Sequence, residues 1–312
     1  MHTVAVVLES PGSLDLRMVE LTERGADDVV IDVEWTGISS GTERLLWSGR
    51  MPEFPGLGYP LVPGYETVGQ IASAPKGSSL HEGDRVFVPG ANCYRDVRGL
   101  FGGAAQRLVV PASRVIPLPQ DTAEAGVLFA LAATAYHAIA GEGASLPELI
   151  IGHGLLGRLI ARVALALGAP VPTVWETEFA RRTIEAYPVI DPATDTRRDY
   201  AAILDASGDA SLLDQMIARL AKRGEITLAG FYETPLSFNF PPAFMREARI
   251  RIAAEFTKSD SEAVSDLVRT GRLSLDGLIT DRAEATDAPL AYRKAFTDPT
   301  CIKMVLDWSQ MS

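Results

Sequence analysis

The chain has little cysteine, no excess of basic residues and no signal-like apolar start, and each shortage excludes a class of protein. Only Cys93 and Cys301 are cysteines among 312 residues, which excludes a disulfide framework and a zinc site built on several thiolates. Lys plus Arg number 29 against 40 for Asp plus Glu, and the formal net charge of −11 argues against a nucleic-acid binder. Residues 1–9 lack the basic start and long apolar stretch of a signal peptide, so we expect a cytoplasmic protein.

The length and composition predict a globular protein of two domains. The chain is 47% hydrophobic and 22% charged, an ordinary mixture that can bury a sizeable core. Its longest weakly polar stretch, residues 125–141, is rich in alanine and contains Thr134, Tyr136 and His137. We interpret this stretch as a buried helix and not as a membrane span.

The pattern of the chain changes near residue 121. Residues 1–120 resemble short β-strands joined by Gly/Pro turns, and Val29–Trp35 alternates as a half-buried strand does. Strand-like and helix-like segments alternate afterwards, including a helix predicted over Glu178–Ala186. That rhythm predicts an α/β fold with a parallel sheet covered by helices.

A glycine-rich motif lies at the first strand-to-helix junction of the second half. The strand Leu149–Ile151 is followed by Gly152-His153-Gly154-Leu155-Leu156-Gly157, which matches G-x-G-x-x-G. The first glycine permits a tight turn, the second lets the backbone approach a pyrophosphate, and the third lets helix and strand pack closely. The motif therefore predicts a dinucleotide site.

An acidic residue follows at the expected distance. Glu176 ends the next predicted strand, where a carboxylate binds the ribose hydroxyls of NAD and repels the 2′-phosphate of NADP. Arg181 and Arg182 follow closely and weaken this preference for NAD. We assign Arg181 and the loop residue His153 to the cofactor site, with packing or a catalytic role as the alternatives for His153.

Several segments, in this order, resemble the medium-chain dehydrogenase/reductase superfamily over nearly the whole chain. They are residues 37–43 (GISSGTE), 63–69 (PGYETVG), 82–86 (EGDRV), 109–119 (VVPASRVIPLP) and 133–138 (ATAYHA). The resemblance implies a GroES-like, β-rich catalytic domain formed by residues 1–122 and 275–312, and a Rossmann NAD-binding domain of residues 123–274. It also implies a homodimer and places Thr134 near the nicotinamide, and we add Ser207 and Gly230 to the cofactor site.

The resemblance also shows that this chain departs from the zinc-dependent members of the superfamily. At the three positions that hold catalytic zinc in those members, this chain has Ser40, Tyr65 and Ala130. Zinc prefers thiolate, imidazole and carboxylate ligands, so we expect an enzyme without a metal. A metal bound by Glu66 and His81 is the alternative.

A longer run, residues 45–66, is similar to one branch of the superfamily. Members of that branch use NAD to oxidise the 3-(1-hydroxyethyl) group of a bacteriochlorophyllide to 3-acetyl during bacteriochlorophyll synthesis. The resemblance thus implies a tetrapyrrole substrate. Composition and spacing by themselves lead only to an NAD-dependent oxidoreductase without zinc.

Without zinc, side chains must handle the proton of the alcohol. By its place in the superfamily pattern, we expect Tyr65 to hydrogen-bond the substrate oxygen, and Thr42 or Ser40 to pass the proton outward. A phenol with an ordinary pKa near 10 is a poor base at neutral pH, so orienting the alcohol, or merely filling the space of a lost zinc site, are the other roles of Tyr65. We expect Glu66 to steady the cleft through hydrogen bonds.

Aromatic and basic residues of the N-terminal half are candidates for binding the pigment. An apolar wall for the macrocycle, or ordinary packing, is predicted for Trp47, Phe54, Tyr59 and Phe101. The candidates for the propionate group are the loop residues Arg50, Arg95 and Arg98, for which plain solvation is the other interpretation.

Two other functions fit the same residues. A quinone or enone reductase without zinc would favour NADPH, and Glu176 argues against it. A nucleotide- or pigment-binding protein without catalysis would explain the lost zinc ligands, but Thr42, Tyr65 and the complete glycine-rich loop argue against it. No segment demands membrane insertion, yet a pigment substrate favours transient contact with a membrane.

Overall fold

The computed structural model describes residues 1–53 and 55–311 as two compact units. Unit 1 comprises Met1–Ala130 and Gly277–Ser312, and unit 2 comprises Leu131–Asp276. The sequence prediction set the domain boundaries at 122/123 and 274/275, and where the folding domains end remains a prediction.

The secondary structure consists of fifteen strands and seven α-helices in the described residues, connected in part by 3₁₀ turns. The strands are β1 His2–Ser10, β2 Ser13–Glu20, β3 Asp28–Ile38, β4 Thr67–Ser73, β5 Arg85–Val88, β6 Arg107–Pro111, β7 Ile116–Pro117, β8 Leu149–Ile151, β9 Thr173–Trp175, β10 Val189–Ile190, β11 Tyr200–Asp205, β12 Leu220–Leu228, β13 Arg249–Ile252, β14 Asp281–Glu284 and β15 Met304–Asp307. The helices are α1 Thr42–Ser48, α2 Phe129–Ala140, α3 Leu155–Ala166, α4 Leu213–Arg219, α5 Phe240–Arg246, α6 Lys258–Arg269 and α7 Ala288–Thr297.

Unit 1 is built around β3, the longest strand. The sheet order is β14-β15-β3-β4-β5-β7, and β6 also pairs with β3. Val29, Ile31 and Val33 of β3 are buried, as their alternation predicts, and they belong to the main apolar core of this unit. The C-terminal strand β15 pairs antiparallel with β3, so the end of the chain is an interior part of this sheet.

Unit 2 has a sheet of six parallel strands in the order β10-β9-β8-β11-β12-β13. The predicted α/β class and parallel sheet are therefore confirmed. All strands of a parallel sheet end at the same edge, so the loops after β8, β9, β11 and β12 lie together. The glycine-rich loop is one of these four.

The helix predicted over Glu178–Ala186 is wrong. This segment contains only a 3₁₀ turn, Phe179–Arg181. The carbonyl oxygen of Arg181 accepts hydrogen bonds from His153 Nδ1 and from Arg158 Nη2, which lie 28 and 23 residues earlier in the chain. Because a helix would turn that carbonyl toward its own backbone, these long-range bonds compete with helix formation.

The apolar stretch near the middle of the chain folds as a 3₁₀ segment, Gln120–Leu128, followed by α2. By length and composition alone, Gln120–Ala140 is apolar enough to cross a membrane. However, 56% of the most apolar 18 residues of this segment are buried in the fold, and core helices of soluble proteins can be equally long and apolar.

Candidate active site

The turns after β3 and before β4 bring three hydroxyl groups together. The Tyr65 hydroxyl lies 2.7 Å from Ser39 Oγ and 3.5 Å from Thr42 Oγ1. Ser40 follows Ser39 in the chain and is half-buried, but the serine that hydrogen-bonds Tyr65 is Ser39. Two predicted catalytic residues, Tyr65 and Thr42, thus share a cluster with a residue that the sequence analysis missed.

The backbone before Tyr65 and one ring contact restrict the position of this side chain. Gly64 has a φ of +96°, in the left-handed region, and a side chain there would come within 2.9 Å of the Ala104 backbone nitrogen. The Phe101 ring meets Tyr65 edge to face, with ring centroids 5.0 Å apart. Both features fix the direction of the Tyr65 hydroxyl.

Burial determines which proton chemistry Tyr65 can perform. Burial raises the pKa of Tyr65 well above its ordinary value of 10, and the nearby Glu66 carboxylate raises it further. The hydroxyl therefore stays protonated at neutral pH and acts as a hydrogen-bond donor, not as a base.

Glu66 forms a buried ion pair behind the cluster. Its Oε2 lies 2.5 Å from Lys303 Nζ, and both side chains are almost completely inaccessible, with relative exposures of 0% and 2%. Lys303 also donates to the carbonyl oxygen of Ile38 at 3.0 Å, whereas Glu66 Oε1 is buried without a partner among the described residues. Burial raises the pKa of Glu66, and Lys303 opposes this rise. The sequence analysis missed Lys303 as the partner of Glu66, and the role of Glu66 in steadying the cleft stays a prediction.

A second buried carboxylate, Glu43, lies in the first turn of α1. Its Oε1 accepts the Ser39 backbone N–H at 2.9 Å, and its Oε2 accepts the Tyr292 hydroxyl at 2.8 Å. Burial raises the pKa of Glu43 from its ordinary value to about 7. The sequence contained Glu43 within a family segment, but nothing near it in the chain indicated its partner on α7.

The residues at the three zinc positions of zinc-dependent relatives do not fit the metal. Ser40 and Tyr65 offer neutral hydroxyls, and Ala130 offers no ligand atom. The alternative pair is no better, because Glu66 is held by Lys303 and His81 is exposed beside Asp84. Within residues 1–53 and 55–311, no group of three or more His, Cys, Asp or Glu side chains is arranged to hold a metal ion.

The predicted pigment-binding aromatics have different environments. Trp47 is half-buried and packs on Phe296, with centroids 5.7 Å apart, and the Tyr59 hydroxyl donates to the Leu46 carbonyl oxygen. Phe101 is the member that contacts Tyr65. Phe54 lies outside the described residues.

Two of the predicted propionate-binding cations can be placed by their contacts. Arg95 forms surface ion pairs with Glu20 and Glu23, both at 3.1 Å. Arg98 is exposed and its side chain lies against Gly58. Arg50 is exposed at the end of the α1 turn. Arg98 is thus better placed than Arg95 to meet an anionic ligand.

In unit 2, the glycine-rich loop has the close packing that the motif predicts. Gly152 has a φ of +94°, and a β-carbon on Gly157 would come within 1.9 Å of the Gly152 carbonyl oxygen. A β-carbon on Gly154 would meet nothing within 4 Å, because Gly154 faces open space at the start of α3. The next two residues, Leu155 and Leu156, begin that helix, whose N-terminus favours a phosphate.

Glu176 closes this loop against the next strand. Its carboxylate accepts the backbone N–H of His153 at 3.0 Å and that of Glu178 at 2.8 Å. Arg182 donates to the Glu176 carbonyl oxygen and to the Asp191 carboxylate, which holds its charge away from the Glu176 carboxylate. Glu176 thus lies where a ribose-binding acid is expected, and it also anchors the loop.

His153 has a buried ring with both nitrogens engaged. Nδ1 donates to the Arg181 carbonyl oxygen at 2.7 Å, so Nε2 accepts the Tyr187 hydroxyl at 3.1 Å. Burial lowers the pKa of His153 and keeps the ring neutral. The packing role considered for His153 therefore describes its ring, whereas its backbone belongs to the loop.

The loops after β11 and β12 meet the glycine-rich loop at the same edge. The backbone N–H and hydroxyl of Ser207 both donate to Asp205 Oδ1, at 3.0 and 2.6 Å, and the Tyr232 hydroxyl donates to Asp205 Oδ2. Gly230 donates its N–H to the Asp205 carbonyl oxygen at 3.0 Å. Gly152 is also adjacent, since a β-carbon there would lie 3.3 Å from the Ser207 nitrogen. The remaining predicted cofactor residue, Thr134, is half-buried on α2.

The two motif glycines give a matched pair of predictions. Gly157→Ala has no room for a methyl group beside Gly152, so it should lower the melting temperature and abolish dinucleotide binding. Gly154→Ala should leave the melting temperature near that of the wild type but weaken NADH binding at least roughly tenfold, because the methyl group occupies the pyrophosphate's space. Thermal unfolding and NADH fluorescence titration measure both effects, and unchanged NADH affinity in Gly154→Ala would contradict the assigned site.

Comparison with known proteins gives both a family and a fold. The family model for the alcohol dehydrogenase GroES-like domain matches residues 25–120. The chain is 53% identical to the 2-desacetyl-2-hydroxyethyl bacteriochlorophyllide A dehydrogenase of Rhodobacter capsulatus, over 99% of each chain. It is 52% identical to the protein of the same name from Cereibacter sphaeroides, again over 99% of each chain.

Solved structures with low sequence identity share the fold. A short chain alcohol dehydrogenase from Escherichia coli CFT073, complexed with NADH, has a TM-score of 0.84 at 20% identity and covers 98% of this chain and 99% of its own. A dehydrogenase from Sinorhizobium meliloti 1021 bound to NADP has a TM-score of 0.82 at 21% identity, with the same coverage. The chain therefore belongs to the medium-chain dehydrogenase/reductase superfamily and, within it, to the family of the 2-desacetyl-2-hydroxyethyl bacteriochlorophyllide A dehydrogenases.

Proposed function

We propose that this protein is an NAD-dependent alcohol dehydrogenase that oxidises the 3-(1-hydroxyethyl) group of a bacteriochlorophyllide to 3-acetyl in bacteriochlorophyll biosynthesis, without catalytic zinc. The observation that carries the proposal is the identity of 52–53% to two dehydrogenases named for this pigment, over 99% of each chain. The hydroxyl cluster around Tyr65 and the glycine-rich loop supply the chemistry that such a reaction needs.

The choice of NAD is supported by Glu176. The loop with Gly152, Gly154 and Gly157 would hold the pyrophosphate, and the Glu176 carboxylate would receive the ribose hydroxyls. The guanidinium of Arg182 is directed to the Glu176 carbonyl oxygen and to Asp191, so it does not offset the repulsion of a 2′-phosphate by Glu176. When bound, the nicotinamide ring supplies the hydride acceptor.

The hydroxyl cluster would orient the alcohol and remove its proton. Because burial keeps Tyr65 protonated, its O–H donates a hydrogen bond to the substrate oxygen. The substrate O–H in turn donates to Ser39 or Thr42, which lie 2.7 and 3.5 Å from the Tyr65 hydroxyl. The hydroxyl that accepts the substrate proton would release its own proton to bulk water.

A conjugated substrate suits a site built from neutral hydroxyls. A bound zinc ion stabilises an alkoxide through its two positive charges. The residues at the three zinc positions, Ser40, Tyr65 and Ala130, are poor ligands for such an ion. In a hydroxyethyl group attached to a macrocycle, the positive charge that develops as hydride leaves spreads into the ring. The protein then has to supply less electrostatic stabilisation.

The test is a turnover assay with metal analysis. The protein is mixed with a 3-(1-hydroxyethyl) bacteriochlorophyllide and either NAD or NADP, and the long-wavelength absorption of the pigment is followed together with formation of the reduced nicotinamide. We expect the acetyl pigment and NADH in equal amounts, a kcat/KM with NAD at least roughly tenfold higher than with NADP, and no stoichiometric zinc. Quinone reduction by NADPH without pigment turnover would instead identify a reductase.

The hydroxyl cluster gives a second prediction, with an adjacent serine as its control. Tyr65→Phe should lower kcat by roughly tenfold or more, and Ser39→Ala should lower it several-fold, because each removes a hydrogen bond to the reacting oxygen. Ser40→Ala should stay close to the wild type. A larger loss of kcat in Ser40→Ala than in Ser39→Ala would show that Ser40, and not Ser39, relays the proton.

We further propose a homodimer that forms through the outer edge of the parallel sheet. Within the described residues β13 pairs with β12 alone, which leaves one edge of β13 without a neighbouring strand. Apolar side chains are exposed in the segment before β13 and at the end of the strand itself: Phe238, Phe240, Phe244, Met245 and Ile252. An unpaired edge beside an apolar surface is what a second copy of the strand can cover.

The cytoplasmic location and transient membrane contact remain predictions.

Replacing an apolar side chain of this edge should separate the copies. Ile252→Lys places a charge at the end of β13, and we expect light scattering after gel filtration to show a dimer for the wild type and a monomer for this variant. Val171→Lys, at another exposed apolar residue of unit 2, is the control and should remain dimeric. A wild-type monomer, or a dimer that tolerates Ile252→Lys, would contradict the proposed interface.

A further inference from the structure

Tyr292 lies at the centre of α7, and its side chain is buried. Its hydroxyl donates to Glu43 Oε2 at 2.8 Å, across 249 residues of sequence. The Phe296 ring packs edge to face on Tyr292, and Trp47 packs on Phe296, each with centroids 5.7 Å apart. These aromatic contacts hold α7 against α1, so the Tyr292 hydroxyl has a defined direction.

Glu43 connects Tyr292 to the hydroxyl cluster. While Oε2 binds Tyr292, Oε1 accepts the Ser39 backbone N–H at 2.9 Å, and the Glu43 N–H donates to the Ser39 carbonyl oxygen at 3.0 Å. Both the N–H and the C=O of Ser39 are thus bound by one residue. The Ser39 hydroxyl then lies 2.7 Å from that of Tyr65.

We propose that Tyr292 and Glu43 are positioning residues for the alcohol oxidation: the Tyr292 hydroxyl holds the Glu43 carboxylate, and the carboxylate holds the turn that sets Ser39 against Tyr65. This inference rests on the proposed function. Both partners of the carboxylate are donors, so the ionised form accepts both bonds, whereas a protonated carboxyl presents its own O–H to one of them. The ionised form is therefore the one that fixes Ser39.

Burial and the groups around Glu43 place its titration near neutral pH. Burial raises the pKa of Glu43 to about 7, and Glu66 raises it, whereas the Ser39 N–H, the Tyr292 hydroxyl and Lys303 lower it. Tyr65 faces the same cluster but stays protonated. Since the carboxylate forms as the pH rises, kcat should increase with pH through about 7.

The test is the pH profile of kcat for pigment oxidation in three variants. Tyr292→Phe removes a bond that favours the ionised form, so the midpoint should move up by about half to one pH unit, with KM unchanged and kcat recovered at high pH. Glu43→Gln keeps an acceptor oxygen for Ser39 but does not titrate, so its kcat should be flat around neutral pH. Tyr200→Phe, which removes another buried hydroxyl-to-carboxylate bond, at Asp195, should keep the wild-type midpoint.

Two results would overturn the inference. One is a Tyr292→Phe midpoint equal to that of the wild type. The other is a Glu43→Gln variant that keeps the wild-type pH profile, since another group would then be titrating. Either result leaves the proposed substrate and cofactor unaffected.

Urea unfolding provides a readout that needs no substrate. Because the pKa of Glu43 is raised in the fold to about 7, the folded protein binds this proton more tightly than the unfolded chain does. The wild type should therefore lose stability relative to Glu43→Gln as the pH rises toward and through 7, and Tyr292→Phe should show the loss at higher pH. If the wild type shows this pH dependence of stability but does not oxidise the pigment, the proposed function is contradicted, whereas the hydrogen bond between Tyr292 and Glu43 is not. A stability difference that is independent of pH would overturn the contact's role.

Discussion

The buried negative charge of Glu43 and Glu66 is the constraint on which unit 1 depends. An ionised carboxylate without a partner is very costly to bury, so each needs a donor close by. Lys303 meets Glu66 at 2.5 Å, and Tyr292 meets Glu43 at 2.8 Å. Both donors belong to the C-terminal part of unit 1, Gly277–Ser312. The return of the chain to the first sheet thus supplies the groups that make the charged interior of the site stable.

With those charges compensated, the face toward the substrate consists of neutral hydroxyls. Tyr65, Ser39 and Thr42 offer donors and acceptors but no net charge, and burial prevents Tyr65 from becoming a phenolate. Such a surface distinguishes an alcohol by hydrogen-bond geometry more than by electrostatic force. It suits a substrate whose own π-system carries the developing charge, and it would be a weak catalyst for a simple aliphatic alcohol.

Local patterns in the sequence predicted the parts of this structure that local physics controls. The spacing of Gly152 and Gly157 fixes a strand-to-helix turn, and alternation along β3 fixes which residues are buried. Tyr292 and Lys303 were missed because their partners lie 249 and 237 residues away. Ser39 was missed because neighbouring residues at a strand end point to different sides, so a shift of one position changes which hydroxyl meets Tyr65.

The discontinuous construction of unit 1 also bears on how the protein is made. Glu43 and Glu66 leave the ribosome before unit 2, whereas Tyr292 and Lys303 leave it after unit 2. All of unit 2, Leu131–Asp276, is translated between them, so it can collapse before unit 1 has its full set of strands. Until Tyr292 and Lys303 are translated, the two carboxylates lack the donors that they bind in the folded protein. Assembly of the catalytic pocket therefore needs residues that are translated after unit 2, and nonsense or frameshift changes just beyond the codons of unit 2 would leave a complete Rossmann unit attached to an unfinished active site.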